Sequence, residues 1–200
     1  MENQNNRVFK LLVFGYSVVG VSSLITRYTE DIFSERHNHY TGHHFKLKQI
    51  MIDKEMIRLQ IWDKEAVILY RNPFVHCRGV DAIIFVYDIT QRRSFEQVCI
   101  YYEMIKKHGK DSVIVKLVGN KCDKEEIRQV SFEEGQNLAN SFGISFMETS
   151  CKTNKNVNEL LMNIAWELHY QQQSISVDKS ERDKEVNKEE KKQISKCILV

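Results

Sequence analysis

The sequence lacks the features that would place it in several large classes of protein. It has no run of about 18 apolar residues, which a transmembrane helix needs. Its polar start, MENQNN, has no apolar stretch behind it of the kind found in a signal peptide. It has almost no net charge: 29 basic against 27 acidic side chains leave +2, too little to point to nucleic acid or to an acidic partner. The five cysteines (77, 99, 122, 151 and 197) are odd in number and scattered. They form neither a disulfide framework nor a paired C-x-x-C metal site, and they read as reduced intracellular thiols. There is no internal repeat. What remains is 200 residues of 42% hydrophobic content, enough for one domain with its own core.

Apolar runs alternate with amphipathic helical patterns. The runs 8–15, 81–90, 112–120 and 144–150 are nearly continuous, as strands covered on both faces of a parallel sheet are. Two others alternate. FKLKQIMI (45–52) sets Phe45, Leu47, Gln49 and Met51 on one face and its lysines on the other, and MIRLQIWD (56–63) groups Ile57, Leu59 and Ile61. Asp53-Lys54 between them predicts a hairpin, and so one antiparallel strand at the sheet edge. Ser131 and Glu134 form a capping box ahead of a helix with Leu138, Ala139 and Phe142. Val157, Leu160, Leu161, Ile164, Ala165 and Leu168 make the apolar stripe of a last helix. The pattern gives one domain over residues 1–171. A charge-rich stretch follows in 172–200 and reads as a flexible tail. Alternating strand and helix predict a doubly wound α/β sheet, which binds ligands at the carboxyl ends of its strands. Gly15, Asp63, Asn120 and Ser150 end strands there.

The loop GYSVVGVS comprises Gly15, Tyr16, Ser17, Val18, Val19, Gly20, Val21 and Ser22, with Ser23 next. It has the spacing of G-x-x-x-x-G-K-[ST], a loop whose amides cradle phosphates, but Val21 stands where the lysine belongs. GNKCD (119–123) and ETSCK (148–152) each end an apolar run. A carboxylate at Asp123 can accept two parallel hydrogen bonds from guanine N1–H and its 2-amino group, a pair that adenine does not offer.

Together these motifs resemble those of the Ras-like small GTPases. LQIWD with Trp62, and RGVDAIIFVYDIT (78–90), resemble Rab proteins most closely, over roughly residues 8–170. The resemblance implies a P-loop NTPase domain of six strands and five helices, helices on both faces of a mostly parallel sheet, GTP or GDP as ligand, Mg²⁺ on Ser22, and a role on vesicle or organelle membranes. It gives Asn120 the holding of the loops, Lys121 a stem over the purine, and the amide of Cys151, after Ser150 and before Lys152, a bond to guanine O6. Phe33 matches the aromatic beside the base. Phe45, Trp62 and His76 match the effector face.

The phosphate half departs from the family. Besides Val21, the switch threonine position holds Tyr40, with Thr41 one residue late. Asp63 survives, but DKEAVILYRNPFVHCRG has no glycine between Asp63 and Gly79 and no glutamine to orient water. The expectation is a guanine-specific protein with weak or absent hydrolysis. The rivals are a switch completed by partner proteins and a nucleotide-free scaffold. Four histidines lie in HNHYTGHH (37–44). Zinc binding is opposed by the lack of a nearby cysteine, a pH-responsive surface is the second reading, and a drifted loop is preferred. The final Cys197-Ile-Leu-Val matches C-a-a-X prenylation, which implies membrane attachment and a prenyl-chaperone partner. Seven basic and six acidic residues in 178–196 add little electrostatic pull, so attachment is expected to be reversible.

Overall fold

Three of the continuous apolar runs, 8–15, 81–90 and 112–120, become inner strands of a six-stranded sheet, and the fourth, 144–150, becomes one of its edges. In the computed structural model, which describes residues 8–35, 45–65, 78–108 and 112–174, the elements follow one another as strand and helix. They are β1 (Val8–Gly15), α1 (Val21–Glu30), β2 (Phe45–Ile52), β3 (Glu55–Glu65), β4 (Ala82–Asp88), α2 (Arg92–His108), β5 (Ile114–Asn120), α3 (Phe132–Phe142), β6 (Ser145–Thr149) and α4 (157–174). The sheet order is β2-β3-β1-β4-β5-β6. Every pairing is parallel except β2 with β3, at the edge where the hairpin was predicted. Asp53 and Lys54 turn it with φ of 48° and 68°, the two positive values a type I′ turn demands. Four helices lie among the described residues. The resemblance implies five; residues 66–77, His76 among them, lie outside the described residues, as do Tyr40, Thr41, the histidines of 37–44, and Cys197.

The helices cover both faces. The stripes of α1 (Val21, Leu24, Ile25) and α4 (Leu160, Leu161, Ile164) pack on one cluster with Leu11, Val13 and Leu59. Those of α2 (Val98, Tyr101, Ile105) and α3 (Ala139) pack on the other with Leu12, Phe85 and Leu117. Strand β4 is buried along its whole length, which explains its unbroken apolar run. The capping box forms as read: Ser131 Oγ accepts from the Glu134 amide at 3.1 Å, and Glu134 accepts from the Ser131 amide at 2.9 Å.

In β2 the inward face is the one that carries the lysines. Ile50 and Ile52 are buried, whereas Phe45, Leu47 and Met51 are exposed. The lysine stems lie along α1 and keep their ammonium groups at its polar rim. Lys46 reaches Thr26 at 2.9 Å and Glu30 at 2.8 Å, and Lys48 reaches the Tyr28 carbonyl at 3.2 Å.

Candidate functional site

Register brings the strand ends together. Gly15 lies beside Val86, Asp88 beside Asn120, and Asn120 beside Thr149. At β1 the chain turns into α1 through residues 15–20. A Cβ on Gly15 would meet the Val86 carbonyl at 2.9 Å and the Val19 side chain at 2.4 Å. Gly20, at φ 98°, brings its backbone so close to Asn120 that a Cβ would lie 2.6 Å from the Asn120 amide nitrogen. Neither position tolerates a side chain.

Val18 has the same need and no glycine. It sits at φ 61° with its isopropyl group 53% exposed. The left-handed region costs a β-branched residue about 1–2 kcal/mol. Two long-range bonds hold the turn: Lys121 Nζ donates to the Val18 carbonyl at 2.8 Å, and Asn120 Nδ2 to the Val19 carbonyl at 2.9 Å. The strain was not legible in the motif, which leaves this position open. Val18→Gly is therefore expected to raise Tm by about 2 °C, since relief of strain exceeds the roughly 0.5–1 kcal/mol of added unfolded-state freedom. Val19→Gly, at a position with no exposed surface, is expected to lower Tm sharply. Thermal scans of the two variants check the opposite signs. A fall in both would show that Val18 is not strained.

Val21 is only 8% exposed and belongs to the core under α1. Its Cγ2 lies 2.8 Å from where a Gly15 Cβ would be. The first turn of α1 has no acidic residue and no side-chain cap. Its amides lack intrahelical acceptors and its positive end faces outward, an arrangement suited to an anion even without a cation at 21. Ser17 and Ser22 are exposed, Ser23 is half-buried, and the Arg93 guanidinium sits 5.6 Å over the Tyr16 ring. Ser22 Oγ donates to the Asp63 carboxylate at 2.5 Å, which sets two hard oxygen donors side by side.

The second half of the site is a polar network. Asn120 is buried at the end of β5; its Oδ1 accepts from Thr149 Oγ at 3.2 Å and from the Cys151 thiol at 3.5 Å. Burial pushes that thiol up to about 11, so it stays protonated as a donor. Lys121, at φ 65°, pairs with Asp88 at 2.6 Å as well as with the Val18 carbonyl. Asp123 accepts from Ser150 Oγ at 2.6 Å, and Ser150 Oγ in turn accepts from the Thr153 amide at 3.1 Å. Lys152 pairs with Glu35 at 3.0 Å, which holds that carboxyl below its ordinary value and pushes the ammonium up. Phe33 packs partly against the core with the Arg27 guanidinium 5.9 Å over its ring.

The structure thus groups residues 15–23, Asp63, Asn120, Lys121, Asp123 and 150–152 at one end of the sheet. Phe45 and Trp62 pair across β2 and β3 with ring centroids 4.9 Å apart, at the end of the two strands opposite their turn, with Trp62 one residue before Asp63. The sequence reading missed Asp88 and Arg27. Asp88 carries a legible signal, a carboxylate ending an apolar strand. Arg27 carries none, because the partners that tie it to the site, the Cys151 and Lys152 carbonyls, lie more than a hundred residues away.

Comparison with known proteins agrees with this geometry. The Ras family matches residues 10–170. GTP-binding protein ypt2 of Schizosaccharomyces pombe is 40% identical over 165 residues, 82% of each chain. Ras-related protein Rab-8A of Gallus gallus is 40% identical over 159 residues, 79% of this chain and 77% of the relative. Ras-related protein Rab-8 of Diplobatis ommata is 36% identical over 203 positions, 96% of this chain and 97% of the relative.

Proposed function

The chain belongs to the Ras family, in its Rab branch, and from this we propose that it is a guanine-specific GTP- and GDP-binding protein of vesicle traffic with weak or absent hydrolysis. One observation carries the binding half of the proposal. Asn120 and Lys121, from the loop expected to read the base, are bonded directly to the carbonyls of the loop expected to hold the phosphates. The two loops are one unit, so a base seated against Asp123 has its phosphates directed at the amides that open α1. The hydroxyl–carboxylate pair Ser22–Asp63 fits Mg²⁺, which takes hard oxygen donors together with phosphate oxygens and would supply positive charge there. The inactive half rests on chemistry the sequence does not provide: Val21 places methyl groups where the family has an ammonium, and the second switch has no glutamine.

A nucleotide-free scaffold is the second reading. It is favoured by Val21, which completes the core, and by polar groups that find partners within the chain, Ser22 on Asp63 and Ser150 on Asp123.

Thermal shift of the full chain with Mg²⁺ and GDP, GTP or ADP tests both readings, because a ligand that binds only the folded state raises Tm by mass action. The expected result is a rise with GDP and GTP, none with ADP, and single-turnover GTP cleavage no faster than the uncatalysed background. A Tm that no nucleotide moves would favour the scaffold. Equal shifts with GDP and ADP would remove guanine specificity, and measurable turnover would remove the inactive half.

A further inference from the structure

Arg27 is a heavily bonded cation near the site, and nothing in the family motifs assigns it a task. It lies in the last turn of α1 with a side chain only 15% exposed. Its Nε donates to the Cys151 carbonyl at 2.7 Å, and Nη2 donates to the Lys152 carbonyl at 3.2 Å. Its Nη1 donates to the carbonyl of Asp31 at 3.0 Å and to that residue's carboxylate at 3.2 Å. The guanidinium face lies over Phe33. Asp31 ends α1 in the left-handed conformation, φ 56°, and so starts the segment that leads to Phe33 and Glu35. Glu35 returns to the same loop through Lys152.

One planar fork therefore joins three pieces of chain: the helix that opens at the phosphate loop, the segment carrying Phe33, and residues 151–152. A guanidinium suits this because its donors diverge in a fixed plane, whereas an ammonium on a flexible stem cannot hold two successive carbonyls and a third group at set angles. The Cys151 amide shares its peptide plane with the Ser150 carbonyl, and the planes on either side of it are held, one by the bond from the Ser150 amide to the Lys155 carbonyl at 3.1 Å and the other by Arg27 on the Cys151 carbonyl, which leaves that amide little freedom of direction.

We propose that Arg27 is a positioning residue that aims the Cys151 N–H at guanine O6. This rests on the guanine-binding reading above. It separates two parts of base recognition. The 2-amino group and N1–H are read by Asp123, which Ser150 holds. The O6 oxygen is read by an amide whose orientation Arg27 sets.

Two analogues of GDP separate these parts. 6-Thio-GDP keeps N1–H and the 2-amino group but replaces O6 with sulfur, a weak acceptor. IDP keeps O6 and lacks the 2-amino group. Competition of each against fluorescent GDP is measured on the full chain with Mg²⁺, for the native protein, Arg27→Ala and Arg27→Lys. The native protein is expected to prefer GDP over both analogues. In Arg27→Ala the preference over 6-thio-GDP should shrink by about fivefold to tenfold, the worth of one well-aimed hydrogen bond, while the preference over IDP changes by less than about twofold. Arg27→Lys should fall between, and it carries the test should the alanine variant not fold. A merely structural arginine would lower affinity for all three nucleotides together and leave both ratios intact, and that outcome overturns the proposal. So does a loss confined to the IDP ratio. A native protein that binds GDP no better than ADP fails earlier, at the guanine reading itself, and takes the inference with it.

Discussion

Val21→Lys is expected to bind GDP about 10- to 100-fold more tightly than the native sequence while being less stable without nucleotide. The two effects share one cause. In the native chain the Val21 methyls are part of the core beneath α1, against Gly15. Replacing them with a lysine stem gives up part of that burial, about 1 kcal/mol, because the stem still covers some of the apolar surface. For a domain of this size that lowers Tm by about 2–4 °C. With GDP present, the ammonium gains a charge-assisted bond to the β-phosphate, worth about 1.5–3 kcal/mol. At saturating nucleotide this gain exceeds the loss, so the melting curves of variant and native protein should cross as GDP is added. Calorimetric titration gives the affinity and thermal scans give the crossing. If affinity stays unchanged while apo stability falls, the phosphates do not approach position 21, and the loop has lost more than its cation.

The outer frame was legible because it rests on local patterns. Strands β1 and β2 match the runs 8–15 and 45–52 end for end, since a change of pattern or a turn closes each of them. The ends of β4, β5 and β6 differ by one or two residues, because a continuous apolar run does not mark where pairing stops. The inward face of β2 was not legible. Alternation separates two faces but does not say which is buried when one bears Phe45 and Leu47 and the other bears Ile50, Ile52 and two lysines. Only the neighbouring α1, with polar acceptors for those lysines, decides it. In the site, Asn120, Lys121, Asp123 and Ser150 were visible because each motif is contiguous. The bonds that join those motifs were not, because they span distances in sequence at which pattern carries no information: 103 positions from Lys121 to Val18 and 124 from Arg27 to Cys151. The strain at Val18 is a third case, visible only as a backbone angle.

Asn120→Ala is expected to lower stability by about 3 kcal/mol, a Tm drop of roughly 6–12 °C, and to weaken GDP binding as well. The side chain is almost wholly buried and serves three partners: it donates to the Val19 carbonyl and accepts from Thr149 and Cys151. Truncation leaves a carbonyl, a hydroxyl and a thiol with that partner removed and a small void beside Gly20. A buried polar group that loses its partner costs about 1–3 kcal/mol, more than the bond itself contributed. Thr149→Val is the informative control. It removes one hydroxyl from the same network with little change of shape, leaves the bond to the phosphate loop intact, and is expected to cost about 1 kcal/mol with GDP affinity unchanged. The difference between the two variants therefore measures the staple from Asn120 to Val19, together with the smaller contribution of the Cys151 thiol. A large difference in both Tm and GDP affinity means that the two loops hold each other in register, and that the base loop confines Val18 to its strained turn. Equal losses in the two variants would mean that the phosphate loop keeps its shape unaided.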